Sequence, residues 1–566
     1  MKNINKIKII ALFLLGALIS CEDQSISSIP LNFGDASTVY SDSTRTVNFI
    51  NHLYTYIPGG FGRFNNAFLA CSTDEAVYAV DGSTMQKWGM GSWSPTVLRD
   101  DPMSRCYKGI RNTYVYQNQI HPNLIDGVVG PAGREHFIGQ VYFIRALLNF
   151  EMLSRYGGYP LLQGELDAKS KIAVARSTYD ECVNYIVELC DSASTRLPIS
   201  VDNANIGRAT KGAALALKSR VLLYAASPLY NDASQPEDSP RHGAYSAKKW
   251  EVAAKAAAEV INLEENGKKK YALRAVRKPL FNSFISSEII FNKLSPQNFS
   301  LEQQNAPAGL QNGRGGSCPT LELVDAYNTI NGLPFDWSNL EMAKDPFKNR
   351  DPRFYEDVLY NSATYLDGHV VETYEGGGDT KGIYATKTSF YLRKFMSDNA
   401  RWWGTTSAVH HSFILYRFAE TLLNYAEAMN EAYGPDVDPE SYGLTARGAI
   451  KLIRERAGLK GNVDLSLTVS TGDKEAMRTA IQSERQVELA YEEHRGYDLR
   501  RWKLADKVLN KPVSGLRITP TADGSYNYER ITVEKRVFQP QMYYYPFPLS
   551  EVNRNSLLEQ NEGWGR

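Results

Sequence analysis

After its first twenty residues, this chain of 566 residues has no apolar run approaching bilayer-spanning length, which excludes a body anchored by its own transmembrane helices. Cysteine is scarce. Beyond Cys21 there are Cys71, Cys106, Cys182, Cys190 and Cys318. An odd number without a CxxC pair argues against a disulfide framework and against a zinc site. These cysteines read as buried small hydrophobes, with one bridge left open. Charge of one sign is missing as well: 63 basic residues face 63 acidic ones, and no long basic run offers a footprint for nucleic acid. The motifs of catalysis are absent. There is no HExxH, no GxSxG elbow, no Walker loop and no dinucleotide fingerprint, so no cofactor or metal is expected. Gly376-Gly377-Gly378 has no helix start behind it to cradle a phosphate. Glu492, Glu493 and His494 are adjacent, and neighbours on a helix point in different directions, which argues against one shared metal. His410-His411 reads as a helix-start feature. Carboxylates are plentiful, but nothing in their spacing sets a glycosidase pair on one site. The chain reads as a non-enzyme.

What is present begins with a leader. Lys2, Lys6 and Lys8 precede Ile9–Leu18, an apolar stretch about half the roughly twenty residues that a spanning helix needs. Leu18-Ile19-Ser20-Cys21 resembles a lipobox, in which Cys21 becomes the lipidated first residue of the mature chain. Glu22-Asp23 resembles the surface-export signal of Bacteroidetes lipoproteins. Residues 1–20 are therefore expected to be a lipoprotein signal peptide, and 21–42, rich in Ser, Asp and Thr, a lipidated N-terminus and flexible tether. Three acyl chains would hold far better than a single myristoyl group.

Residues 43–566 are expected to be one mainly α domain built on helical hairpins. In 209–263, Ala213, Leu217, Val221 and Ala225 share one helical face, and Trp250, Ala254, Ala257 and Ile261 share another. Further hairpins are expected over 43–57 with 101–120, over 134–196, and over 412–457, where Ser412–Tyr433 reads as one helix. Recurring pairs suggest tetratricopeptide-like units, or else an irregular α-helical domain. The segments 58–100 and 290–411 are Gly-rich and aromatic, and read as loop-rich insertions with a few short strands.

Five segments in order make the chain similar to the SusD/RagB family. They are Arg145–Phe150 running into Arg155-Tyr156-Gly157-Gly158-Tyr159-Pro160-Leu161; Arg350-Asp351-Pro352-Arg353-Phe354; Leu415–Ala428; Glu484–Glu492 with His494-Arg495 and Asp498–Trp502; and Tyr545-Pro546-Phe547-Pro548 with Gln560-Asn561. Their charged residues, among them Arg417, Glu420, Glu427, Glu484, Glu488, Arg485, Arg495, Arg500 and Arg501, read as an internal ion-pair network. The resemblance implies a surface-exposed outer-membrane lipoprotein that binds a glycan without catalysis. It implies delivery of that glycan to a SusC-like TonB-dependent transporter, with a hinged lid closing over the barrel. The same fold with a peptide or glycoprotein-derived ligand, or a helical-repeat scaffold or adhesin, are the alternatives.

Sugars offer apolar C–H faces and a hydroxyl rim, so exposed aromatics in Gly-rich loops are the candidates. Trp88 and Trp93 with Asp74 form one cluster, Arg401, Trp402 and Trp403 a second, and Phe299 stands in a weaker third. The resemblance favours Trp88 and Trp93 for stacking, with Asp74 and Arg401 as polar clamps. In each cluster the alternative is that a tryptophan pins its loop to the core. Trp250, Trp502 and Trp564 read as structural, and Trp337 stays open.

Overall fold

The computed structural model describes residues 43–119, 122–164 and 173–565. The expected signal peptide, Cys21 and the tether lie outside the described residues. The scaffold is a run of helices packed in chain order. It comprises α1 (Ser43–Tyr54), α2 (Met103–Gln119), α3 (Pro122–Tyr156), α4 (Tyr179–Ser194), α5 (Lys211–Ala226), α6 (Lys249–Ile261), α7 (Phe418–Tyr433), α8 (Ala446–Arg456) and α9 (Lys474–Glu488). From α2 onward each helix lies on the next, with α7 against α6 and both α8 and α9 against α7. Helix α3 is interrupted at Gly130, whose φ of 72° precedes Pro131; that backbone is open to glycine and closed to most L residues. A capping box of Thr178 and Glu181 starts α4, and Thr210 caps α5. Ala213, Leu217, Val221 and Ala225 are buried, as are Ala254 and Ala257 across the α5–α6 contact. Small side chains on both faces let the two helices close up.

One expected element is different. Ser412–Arg417 is a fully buried strand and the helix begins only at Phe418. An unbroken apolar run suits a strand covered on both faces, and periodicity alone does not separate it from a buried helix. We number the main strands β1 (Ala76–Tyr78), β2 (Ile289–Leu294), β3 (Ser317–Pro319), β4 (Ser412–Arg417), β5 (Val513–Pro520) and β6 (Tyr526–Glu534). All pair antiparallel, β1 with β3, β2 with β4, and β5 with β6. The β1–β3 pair, with Val77 opposite Cys318, ties the 58–100 insertion to the 290–411 insertion. Cys71, Cys106, Cys182, Cys190 and Cys318 are all buried free thiols. His411 sits at the β4 entrance, not at a helix start, and its Nε2 lies 2.8 Å from Glu302 Oε1 inside the protein.

Buried charge locks the junction of β4 with α8 and α9. Arg417 reaches Glu288 at 2.8 Å, Glu488 at 2.7 Å and Glu492 at 2.7 Å. Arg353 spans Asp351, Glu484 and Glu488, and Arg456 joins Glu288 and Glu488. Burial by itself would raise the Glu488 pKa, yet Arg456, Arg417, Arg277 and Arg353 hold it well below the usual carboxylate range. Glu427 and Asp498 serve Arg501, Asp498 also serves Arg485, and Glu420 serves Arg220. Arg500 stands apart, donating to the carbonyls of Met542 and Gly496. Glu493, at φ 63°, turns to Arg63 while Glu492 faces Arg417 and Lys394, so the neighbouring carboxylates serve different partners.

Candidate ligand-binding face

The two tryptophans favoured by sequence are in the core. Trp88 is 4% exposed and Trp93 7%, and their rings meet at 5.8 Å. Trp88 packs edge-on to Phe64, and Trp93 lies 4.9 Å from Trp564 and 5.1 Å from Tyr545. The glycines around them serve close packing, not an open loop. A Cβ on Gly89 would meet Arg536 Nη1 at 2.4 Å, and one on Gly91 would meet Val537 at 2.9 Å. Residues 536–537 thereby press this segment inward, which removes Trp88 and Trp93 as stacking surfaces. Asp74 is corrected in the same way: 6% exposed, it accepts two hydrogen bonds from Arg495, at 2.9 and 2.7 Å. Its neighbour Glu75 is buried too, and that burial, with the Asp74 charge beside it, pushes the Glu75 carboxyl up to about 8.

The tandem tryptophans divide. Trp402 is 7% exposed and donates its indole N–H to Gln311 O at 2.7 Å. It roots in a small second core with Val77, Leu359, Tyr365, Tyr391 and Met396, and is a pin. Trp403 meets it edge-on at 4.5 Å and keeps its own ring half-buried at the tip of a tight loop. That loop closes through paired backbone hydrogen bonds between Arg401 and Ser407. Arg401 is committed to its own loop, with a forked contact to Asp367 at 2.7–3.2 Å and donations to the carbonyls of Asp398 and Ala400. Those bonds occupy four of its five N–H donors and oppose a free polar clamp. Phe299 is half-buried and packs on the same second core as Trp403.

The structure adds residues that sequence did not single out. The 306–316 loop passes from Gln311, under Trp402, to Gly315, where a Cβ would meet Tyr384 O at 2.1 Å; with φ 64° this position needs glycine. Beside it the exposed Arg314 lies over the half-buried Tyr384 ring at 5.9 Å, and the half-buried Tyr78 is next along β1. The loop is held from beneath by Asp379. This buried carboxylate accepts from Gly309 N and Glu372 N at 2.8 Å each, and lies 3.0 Å from His369 Nε2. Its hydrogen bond raises the His369 pKa. Tyr384 stands in Gly382-Ile383-Tyr384, the same Gly-flanked aromatic signal that the tryptophans carried. Trp403, Phe299, Tyr384 and Tyr78 thus present partly open rings around one anchored loop. Arg314, Gln311 and Asn312 are exposed along it. Such an arrangement can stack on apolar ring faces and hydrogen-bond a hydroxyl rim.

Residues 287–564 match the family model described as the SusD family, and residues 72–223 the one described as starch-binding associating with outer membrane. SusD-like protein P2 of Formosa agariphila is 32% identical over 155 residues, a stretch spanning 27% of this chain and 26% of that protein. A SusD-like protein from Bacteroides fragilis superposes with a TM-score of 0.75 at 26% identity, over 93% of this chain and 98% of that one. A laminarin-binding SusD-like protein does so with a TM-score of 0.60 at 21% identity, over 92% and 100%. The helical frame is thus common to these proteins. This chain belongs to the SusD/RagB family. Among the described residues no helix is long and apolar enough to cross a membrane.

Proposed function

We propose that the protein is a cell-surface glycan-binding lipoprotein of the outer membrane, held by lipid on Cys21, that delivers oligosaccharide to a SusC-like TonB-dependent transporter without chemically altering it. The observation that carries this reading is the split of the tandem tryptophans. Trp402 is rooted in the small second core, and the ring of Trp403 stays half-open beside the Asp379-anchored loop. A rooted pin beside a presented ring pre-pays the ordering of the aromatic platform, which is how preorganised sites gain affinity. The family description, starch-binding associating with outer membrane, supports both the ligand class and the location. The ligand of the laminarin-binding relative supports the ligand class alone.

Affinity electrophoresis against laminarin, soluble starch, xylan and arabinogalactan tests the ligand class. Retardation by at least one, weakened in Trp403→Ala and Tyr384→Ala, is the expected result. Retardation by none, together with binding of peptides, contradicts it. Extraction in mild detergent is expected to bring a barrel protein along, and recovery of the lipoprotein alone would contradict the transporter role.

A further inference from the structure

A concavity lies on the helical scaffold, away from both insertions. It is a groove of about 940 Å³ between α6, α7, α9 and the segments 226–233 and 502–504. It adjoins a cleft of about 380 Å³ lined by Tyr543, Tyr544, Arg241 and Glu562. Asp232 and Lys503 belong to both, so their 2.9 Å ion pair forms the sill between them. No residue of 58–100 or 290–411 contributes to either wall.

Tyr245 and Trp250 line the larger groove, Trp250 with part of its ring packed on the main core. Tyr245 is 46% exposed, yet its backbone is fixed. Its N–H donates to Pro236 O at 2.9 Å, and the next residue, Ser246, donates to the buried Asn231 Oδ1 at 2.9 Å. Trp250, expected from sequence to be structural, is half-buried at the start of α6 and lines the same groove. The ionic groups of the wall are largely spoken for. Arg478 pairs with Glu431 and Glu475 at 2.6 Å each, and Glu427 pairs with Arg501 and accepts the Trp502 indole N–H at 2.7 Å. Lys474 donates to the Glu431 carbonyl, and Glu251 has no ion pair among the described residues. With Arg478 shared between two glutamates, the three basic residues of the wall (Lys474, Arg478 and Lys503) face five acidic ones (Asp232, Glu251, Glu427, Glu431 and Glu475), of which Glu427 is met by Arg501. Gln482, Thr479 and Gln235 add neutral donors and acceptors.

The volume is that of a small-molecule site, and a wall with more carboxylates than cations selects against an anionic guest. Held aromatic faces with neutral hydrogen-bonding groups beside them suit a ring that is apolar on its faces and hydroxylated at its rim. We infer that this groove is a second saccharide site, taking a neutral glycan chain independently of the Trp403 face. The inference rests on the carbohydrate reading above, and the two can fail separately.

The test is affinity electrophoresis of the full protein in gels containing laminarin, soluble starch, xylan or arabinogalactan, with polygalacturonate as the charged control. Tyr245→Ala removes an exposed ring that holds nothing else. Trp250→Ala is added with its melting temperature as the check on folding. The expected result is that at least one neutral polysaccharide retards the protein, that Tyr245→Ala weakens that interaction about threefold to tenfold, and that Trp403→Ala leaves a residue of binding which the Tyr245→Ala change then removes. Retardation unchanged by Tyr245→Ala and by folded Trp250→Ala, or abolished by Trp403→Ala alone, overturns the groove and leaves the function standing. Retardation by none of the neutral polysaccharides overturns both. Stronger retardation by polygalacturonate that Tyr245→Ala weakens overturns the neutral class.

Discussion

Glu75→Gln is expected to stabilise the protein, and to do so more as pH rises. In the fold the Glu75 carboxyl is pushed up to about 8 from its ordinary 4.5, by burial first and the neighbouring Asp74 charge second, with Arg495 and Lys394 opposing. A carboxyl with a raised folded-state pKa keeps a proton that the unfolded chain releases. Its contribution to stability is therefore full below the unfolded pKa and is lost as pH rises through the folded one. At about 1.4 kcal/mol per pKa unit, wild type loses about 3 kcal/mol from this one group between about pH 5 and pH 8. Glutamine keeps the shape and the carbonyl that can accept from the Tyr491 backbone, and it carries no titrating proton. The assay is urea unfolding of wild type and Glu75→Gln across that range, read as the difference between the two proteins, in which the titration of distant groups cancels. The variant's advantage should be under about 1 kcal/mol at pH 5 and grow by about 3 kcal/mol by pH 8. A difference that does not change with pH, or a variant that becomes the weaker protein at pH 8, would refute the reasoning.

Trp88→Ala and Trp93→Ala are each expected to cost about 3–5 kcal/mol of stability by denaturant titration, because both rings fill the core; unchanged stability with lost glycan retardation would restore them to a binding role. Arg417→Met takes from Glu288, Glu488 and Glu492 the cation they share, leaving Arg353, Arg456 and Lys394 as their remaining partners in the interior. It should cost about 3 kcal/mol, measured by urea unfolding at neutral pH. Glu492 is pushed down to about 2 as Arg417 and Lys394 outweigh its burial, so its contribution is present above the unfolded pKa and lost as pH falls toward 2. Removing Arg417 should accordingly raise the midpoint of acid unfolding, followed by circular dichroism. Arg495→Met leaves Asp74 buried and unpaired, and should destabilise the protein at pH 7 more than the paired change Asp74→Asn with Arg495→Met, which a double-mutant cycle would show.

Much of the frame was legible because its signals are local. Ala213 to Ala225 repeat on one helical face, and Glu484 and Glu488 stand one turn apart with basic residues close behind them in the chain. The strand Ser412–Arg417 reads as helix in the sequence because pairing with Ile289–Leu294, more than a hundred residues earlier, decides its conformation, and the apolar run Phe413–Tyr416 has no period to betray it. The candidate site was less legible for the same reason. Whether Trp88 and Trp93 are open depends on Arg536, Val537, Tyr545 and Trp564, which arrive more than 400 residues later in the chain. In the tandem pair, the carbonyl of Gln311 selects Trp402 as the pin and leaves Trp403 presented. Composition marks the 399–404 loop, and tertiary contact decides which of its two rings is buried.

The most direct measurement is isothermal titration of wild type and Trp403→Ala with an oligosaccharide cut from whichever polysaccharide retards the protein, alongside their melting temperatures. The account predicts affinity weakened by about tenfold or more with the melting temperature nearly unchanged, because Trp403 presents its ring while Trp402 holds the loop. Equal affinities in two equally stable proteins would contradict it.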